Sequence, residues 1–428
     1  MNTLKKKTWL LIVIFSLCGQ IAWAVENMLF NVFIQQEFNA TLNDIALMVS
    51  LSAIAATITT LFIGALSDKI GKRKLFMTVG YILWGISILG FALLKVNNIS
   101  KLFGASVNAL AIGVSLTIIF DCIMTFFGSS ANDAAYNAWV TDISNESNRG
   151  KIEGINSAMP LIAIIFVFGI NMLIEKLDSH WTILFLIIGI LTIIVGIIGV
   201  FLLEDSNIEV DKNKNYFSNV FYGFKKNVIK DNMLLYVLLL GFMVFSISVQ
   251  VFMPYLILYF TNTIHLDNYV LVFAPAIIIA AVFTFFFGKV IDKIGFVRST
   301  IISTLIYIIG LLLMTLFTHI VLVFIGCMLL LCGFLSTTAS FNAAIRNETP
   351  KENVGSFQGV RIIVQVLIPM LVGPWIGSLL SKNSGEGFLG VAGDDFTPSS
   401  LVFLGALVVG LFVYLVVLLY KKVGKKNA

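Results

Sequence analysis

The sequence predicts an all-α integral membrane protein in which twelve transmembrane helices form two pseudo-symmetric six-helix bundles, and three observations carry that prediction. Of 428 residues, 58% are hydrophobic and 12% are charged, about half the ~25% charged fraction of soluble domains. Twelve apolar stretches follow one another along the chain, each about 20 residues, the length that crosses a hydrocarbon core of about 30 Å. Two sequence signals in the first half return in the second.

The first stretch, 8–34, begins after Lys5, Lys6 and Lys7. Ala22-Trp23-Ala24 imitates the cleavage site of a secretory leader, but cleavage would leave eleven stretches and break the six-plus-six pattern, so the segment is read as a retained helix. Stretches 44–66 and 75–94 flank a short basic loop, 115–140 carries a run of polar residues, and 155–174 and 181–203 complete the first half. The polar segment 204–232 links an N-terminal bundle, 1–203, to a C-terminal bundle, 233–428. The stretches of the latter are 233–260, 269–290, 299–317, 321–345, 357–380 and 401–420.

With both termini on one side, 23 of the 28 Lys and Arg fall on that side, Lys289 at the inner end of its stretch among them, four on the other, and Arg361 inside a stretch. The positive-inside rule makes the basic side cytoplasmic. A multi-pass protein of the plasma membrane with both termini cytoplasmic is expected, and its net charge of +5 is a topology signal rather than a sign of nucleic acid. Cys18, Cys122, Cys327 and Cys332 lie in stretches without metal-binding spacing, and the three His sit in or beside short connections. With no Ser/His/Asp or H-E-x-x-H pattern in the chain, neither an enzyme nor a metal site is expected.

The internal repeat is the most specific signal. "GALSDKIGKRK" from Gly64 and "GKVIDKIGFVR" from Gly288 share Gly, Asp, Lys, Ile, Gly and a terminal base at an offset of 224, each closing an even-numbered stretch. "NAWVTDISNESNRGKIEG" from Asn137 and "NAAIRNETPKENVGSFQG" from Asn342 match at an offset of 205. The first half therefore carries 19 more residues between its markers, placed in "KVNNISKLFGASVNALAIG" after the third stretch and expected along the membrane surface. Six-helix repeats of this kind are the architecture of secondary transporters, with binding near the midplane.

Gly64, Asp68, Gly71, Lys72, Arg73 and Lys74 resemble the G-x-x-x-D-[RK]-x-G-[RK]-[RK] signature of the major facilitator superfamily, and Gly288, Asp292, Gly295 and Arg298 resemble its degenerate second copy. The resemblance covers the whole chain and implies a carrier working by alternating access, with these residues at an inner gate. There Gly64 and Gly288 are expected to allow close helix approach, and Asp68 to meet Lys72, Arg73 and the start of the eleventh helix near Gly355 and Phe357. "NDAAYNAWVTDI" with "RGKIEG" is similar to segments of cation-coupled glycoside–pentoside–hexuronide carriers, although the second stretch, where those carriers usually place an Asp, has no acid between its ends. Asp142 and Arg149 resemble the acid-x6-Arg element of sugar porters, with a solvated loop as the alternative. The fifth stretch lacks the G-x-x-x-G-P-x-x-G pattern of the family's drug/proton antiporters.

At 100° per residue, Thr125, Ser129, Asn132, Asp133, Tyr136 and Asn137 fall within an arc of roughly 140° on the fourth helix. Cys122 extends this stripe and Asp121 lies on its edge. A central Asp costs about 2.5–3.5 kcal/mol in a membrane, so the stripe is expected to face water or protein. For Ser129 and Thr125 the alternative is bonding across a helix interface, at about 0.6 kcal/mol each. On the first helix Gln20, Trp23, Asn27 and Asn31 follow helical spacing with Glu26 beside them. Asp133, Glu26 and Asp121 are the candidates for binding a coupling H+ or Na+.

The second half is milder, with Thr337 and Thr338 where the first has Asn132 and Asp133. Neutral groups from Gln250, Tyr255, Asn342 and Gln365 are expected to complete a substrate cavity. Arg361 either snorkels to the membrane face or pairs with an acid or an anionic substrate. The expectation is a monomeric carrier in the lipid bilayer for a small polar solute, a sugar or glycoside first, with no cofactor beyond H+ or Na+. The alternatives are an exporter of amphiphilic compounds and a non-transporting membrane sensor with a carrier fold.

Overall fold

A computed structural model describes residues 4–104, 106–144, 148–204, 221–266, 268–350, 354–382 and 394–427. Among them no strand occurs, and eleven helical runs are long and apolar enough to cross a membrane. In chain order these are α1 (Lys6–Phe38), α2 (Leu42–Ile70), α3 (Arg73–Phe91), α4 (Ala109–Ile143), α5 (Arg149–Ile174), α6 (His180–Leu202) and α7 (Met233–Thr263). Next comes Tyr269–Leu316, whose 48 residues reach about 72 Å at 1.5 Å per residue, more than two crossings. Gly295, at φ 74°, breaks it into α8 (269–294) and α9 (296–316). Then follow α10 (Ile320–Glu348), α11 (354–382) and α12 (Leu401–Asn427).

Each predicted stretch is one of these helices. Most helices outrun their stretch because hydropathy marks only the hydrocarbon-crossing part, whereas backbone pairing continues the helix into the polar interface. Gly71, at φ 71°, ends α2 as Gly295 ends α8. A side chain in this left-handed conformation costs about 1–2 kcal/mol, so the second glycine of each duplicated loop is a turn requirement. The surplus between α3 and α4 contains a short helix, Val96–Phe103, with Ile99 buried and Leu102 and Phe103 exposed. Glu37 Oε1 accepts the Val96 N–H at 3.1 Å and fixes its start.

The chain divides into two compact units, Met1–Ala40 with Ile54–Asn219, and Thr41–Ala53 with Val220–Ala428. In the first, α3 and α6 approach through small residues: a Cβ on Gly85 would meet the Gly189 carbonyl, and one on Gly196 would meet Ile82 and the Thr78 carbonyl. Such contacts replace the hydrophobic drive that lipid removes. Phe30, Phe33, Phe91 and Phe185 fill the space between α1, α3 and α6, with the closest ring centroids 4.4 Å apart.

In the second unit α9 and α10 pack as closely, Gly310 against the Leu330 backbone and Gly333 against that of Tyr307. Phe242 stacks on Phe341 at 5.4 Å. Residues 41–53 are held in this unit by polar bonds. Ser378 Oγ donates to Asn43 Oδ1 at 2.6 Å, Trp375 Nε1 to Ser50 Oγ at 3.0 Å, and Ser50 Oγ to the Met370 carbonyl at 3.3 Å.

Candidate functional site

Four π-helical turns interrupt the described helices, at Val25–Leu29, Ser129–Tyr136, Tyr259–Thr263 and Ile363–Leu367. A π turn inserts a residue relative to an α-helix and so rotates all that follows by about 100°. In α4 this divides the polar stripe that an unbroken helix would present.

Ser129, Asn132 and Asp133 stay together. Ser129 Oγ donates to Asp133 Oδ2 at 3.0 Å and Asn132 Nδ2 to Oδ1 at 3.3 Å, and the Trp23 indole of α1 lies close to the same carboxylate. The Tyr81 hydroxyl of α3 shares its proton between Asn132 Oδ1, at 3.0 Å, and the Phe15 carbonyl, at 2.8 Å. Gly19 and Gly80 make the approach feasible: a Cβ on the first would strike Asn132 and the Tyr81 hydroxyl, and one on the second Ala131. Asp133 is thus a half-buried carboxylate held by two neutral donors, with an indole beside it. No Lys or Arg lies within 4 Å of it among the described residues.

Thr125 turns instead to α1, where its hydroxyl donates to Glu26 Oε1 at 3.0 Å. Asp121 lies one turn before Thr125 on the same face of α4, and both acids are buried, Glu26 at 9% and Asp121 at 2% exposure. This is a second acidic centre, separate from Asp133. Asn31 is buried with its Nδ2 toward the Asn27 carbonyl at 3.4 Å, Asn27 is exposed, and Gln20 is half-buried.

Tyr136 leaves the stripe. Its hydroxyl donates toward Asn156 Oδ1 at 2.8 Å and the Ile12 carbonyl at 3.2 Å, so it braces α1, α4 and α5 within the unit. Asn137 is exposed and bonds back to the Asp133 carbonyl at 3.0 Å. Asn156 was missed by sequence reading; its only signal is an amide among the apolar residues of α5.

In the second unit, Tyr255 is fully buried, and its hydroxyl contacts the carbonyls of Pro374, at 2.7 Å, and Leu42, at 3.2 Å. It ties backbone together where a cavity-lining role was expected. Gln250 packs against α11 at Gly373. Arg361 Nη2 donates to the neutral Asn342 Oδ1 at 3.3 Å, joining α11 to α10. Gln365 lies in the π turn of α11 with its Nε2 buried and unpartnered among the described residues.

The basic loop after α2 is built around Arg73, which is 4% exposed. Its Nε donates to Asp142 Oδ2 at 3.1 Å, its Nη1 to Ser67 Oγ at 2.6 Å, and its Nη2 to Asp68 Oδ1. Asp142 therefore pairs with Arg73 across α3 and α4; the side chain of Arg149, the base of the acid-x6-Arg element, lies outside the described residues. Lys72 sits at the start of α3 and makes no ion pair among the described residues.

This relay is not repeated. Val297 stands at the position of Arg73 and Asn347 at that of Asp142, and neither Asp292 nor Arg298 forms an ion pair among the described residues. Instead Phe296 packs on Phe341 at 5.3 Å and on Tyr420 at 5.1 Å. A Cβ on Gly64 or Gly288 would meet nothing within 4 Å among the described residues.

Two units of helices long and apolar enough to cross a membrane, each with polar groups bonded inside it, are the build of a polytopic membrane protein. The Major Facilitator Superfamily profile matches residues 11–371, and the chain belongs to that family: it is a membrane transporter, not an enzyme, and works by alternating access. No curated protein matches it significantly in sequence. Among solved structures it resembles a bacterial homologue of the human lysosomal transporter Spinster, inward-facing and unoccupied, with TM-score 0.70 and 13% identity over 98% of this chain and 97% of that one. It also resembles a mutant of the nucleoside transporter NupG, with TM-score 0.73 and 13% identity over 96% and 99%. A third is the xylose transporter XylE from E. coli in a partially occluded inward-open form, with TM-score 0.71 and 15% identity over 95% and 96%. At these identities the likeness is one of fold.

Proposed function

We propose that the protein is a cation-coupled secondary transporter of a small polar solute, a sugar or glycoside first, acting as a monomer in the plasma membrane with both termini cytoplasmic. The observation that carries this reading is the bond from Thr125 to Glu26 with Asp121 on the same helix face. Two buried carboxyl groups so arranged resist being ionised together, so a proton or a sodium ion held there is the coupling species. Asp133 has a different task. Held by two neutral donors and only partly buried, with the Trp23 indole beside it, it offers an acceptor to solute hydroxyls and an aromatic face to their apolar side, the mixture that small-molecule sites use. The neighbours named for xylose and nucleosides support a solute of that size and polarity.

The test begins with thermal stabilisation of purified protein across sugars, nucleosides, amino acids and amphiphilic compounds, followed by reconstitution with imposed proton or sodium gradients. Glu26→Gln and Asp121→Asn should lose uphill accumulation and keep solute exchange, whereas Asp133→Asn should weaken solute binding. If Glu26→Gln and Asp121→Asn both accumulate solute like the unmodified protein, the coupling site is wrong. Stabilisation by amphiphilic compounds alone would remove the polar-solute assignment.

A further inference from the structure

A cavity of about 560 Å³ opens on the first unit, lined by Trp9 of α1 and by Lys151, Gly154, Ile155, Ala158 and Met159 of α5. Five of these six residues carry no charge, so the groove has no set of acceptors and donors to specify a polar solute. Its floor is open because Gly154 and Ala158 are small, and a Cβ on Gly154 would meet nothing within 4 Å among the described residues. The same face of α5 continues at helical spacing through Ile162, Ile165 and Phe166, which are 45%, 41% and 42% exposed. An apolar path thus leads away from one charged end.

That end is cationic. Lys151 is exposed and takes part in no ion pair among the described residues. Lys6 lies three residues before Trp9, on the same face of α1. Glu204 occupies Lys5, at 4.0 Å, and Lys7, at 3.5 Å, and Lys6 is outside both pairs. An indole whose N–H has no partner among the described residues, flanked by lysines at the start of a crossing helix, is the pattern of the membrane–water boundary.

From this charge complementarity and the apolar continuation we propose that the groove between α1 and α5 binds an anionic phospholipid, its phosphate between Lys151 and Lys6, its glycerol region beside Trp9, and one acyl chain over Gly154 and Ala158. Free phosphate would satisfy the lysines but has no use for the path along α5. A zwitterionic lipid would fill the path but gains less from the lysines.

Native mass spectrometry of the full chain, released from bilayers of equal phosphatidylglycerol and phosphatidylcholine, reads this directly. The unmodified protein should retain phosphatidylglycerol preferentially, and Lys151→Gln should lose about five-fold of that preference, with Lys151→Arg restoring it. Gly154→Leu, which fills open space and should melt like the unmodified protein, should lower retention of both lipids. Excess inorganic phosphate should displace neither. Unchanged retention in folded Lys151→Gln and Gly154→Leu proteins would overturn the site, as would equal retention of the two lipids or displacement by phosphate alone. Solute transport lost in Gly154→Leu with lipid retention intact would assign the groove to the solute path instead, and would equally overturn it.

Discussion

Arg73 reaches Ser67, Asp68 and Asp142 at once because a guanidinium is a planar fork of donors, which an ammonium cannot imitate. Removing one partner of a buried pair costs about 3–5 kcal/mol. The Asp68 and Asp142 side chains are 44% and 21% exposed, so solvent screening reduces the expected loss for Arg73→Met to about 1–3 kcal/mol. Arg73→Lys should fall between, and thermal unfolding of the purified protein measures both; an unchanged midpoint in Arg73→Met would mean that the relay contributes nothing to stability. Tyr255 illustrates why single residues mislead. A tyrosine in an apolar helix is read equally well as a ligand contact or as a donor to backbone, and here the carbonyls come from Leu42 and Pro374, more than 100 positions away in either direction. Tyr255→Phe should therefore cost about 1 kcal/mol of stability and leave solute affinity unchanged; a fall in affinity at constant stability would return Tyr255 to the substrate site.

At the scale of the helix, the polar stripe on α4 was legible as a set of residues but not as a set of contacts. Intervals of 100° put Tyr136 and Asn137 beside Asp133, whereas the π turn sends the Tyr136 hydroxyl to Asn156 and leaves Asn137 exposed. The site also depends on how closely α3 reaches α4, which glycines control unequally. Gly80→Leu forces a side chain into Ala131 and should cost about 1–3 kcal/mol, as overpacking does. It should also disturb the bond from Tyr81 to Asn132 and weaken solute binding. Gly64→Leu meets open space and should leave the melting temperature nearly unchanged. Equal destabilisation by the two would show that these contacts do not set the packing of the first unit.

For the whole molecule, α2 is the informative helix, because residues 41–53 group with the second unit while 54–70 group with the first. A carrier that alternates must either keep that docking or release it in each cycle. Asn43 and Ser378 bond side chain to side chain at 2.6 Å, so Asn43→Cys with Ser378→Cys should cross-link on oxidation. If release is part of the cycle, the cross-link stops solute flux and a reductant restores it; full flux in the oxidised protein would mean that 41–53 never leaves the second unit. By itself the sequence determined the number of crossings, their order, the duplicated loops and the uneven placement of Lys and Arg. All of these are local in hydropathy, charge and glycine, and a bilayer obliges each crossing segment to pair its backbone within one helix. Only the tertiary structure decided which polar groups meet: Thr125 with Glu26, Tyr81 with Asn132, Tyr136 with Asn156, Arg73 with Asp142. Those meetings depend on the rotation of each helix, and the residue inserted by a π turn rotates everything after it by about 100°, a change that leaves no mark in the spacing of residues along the chain.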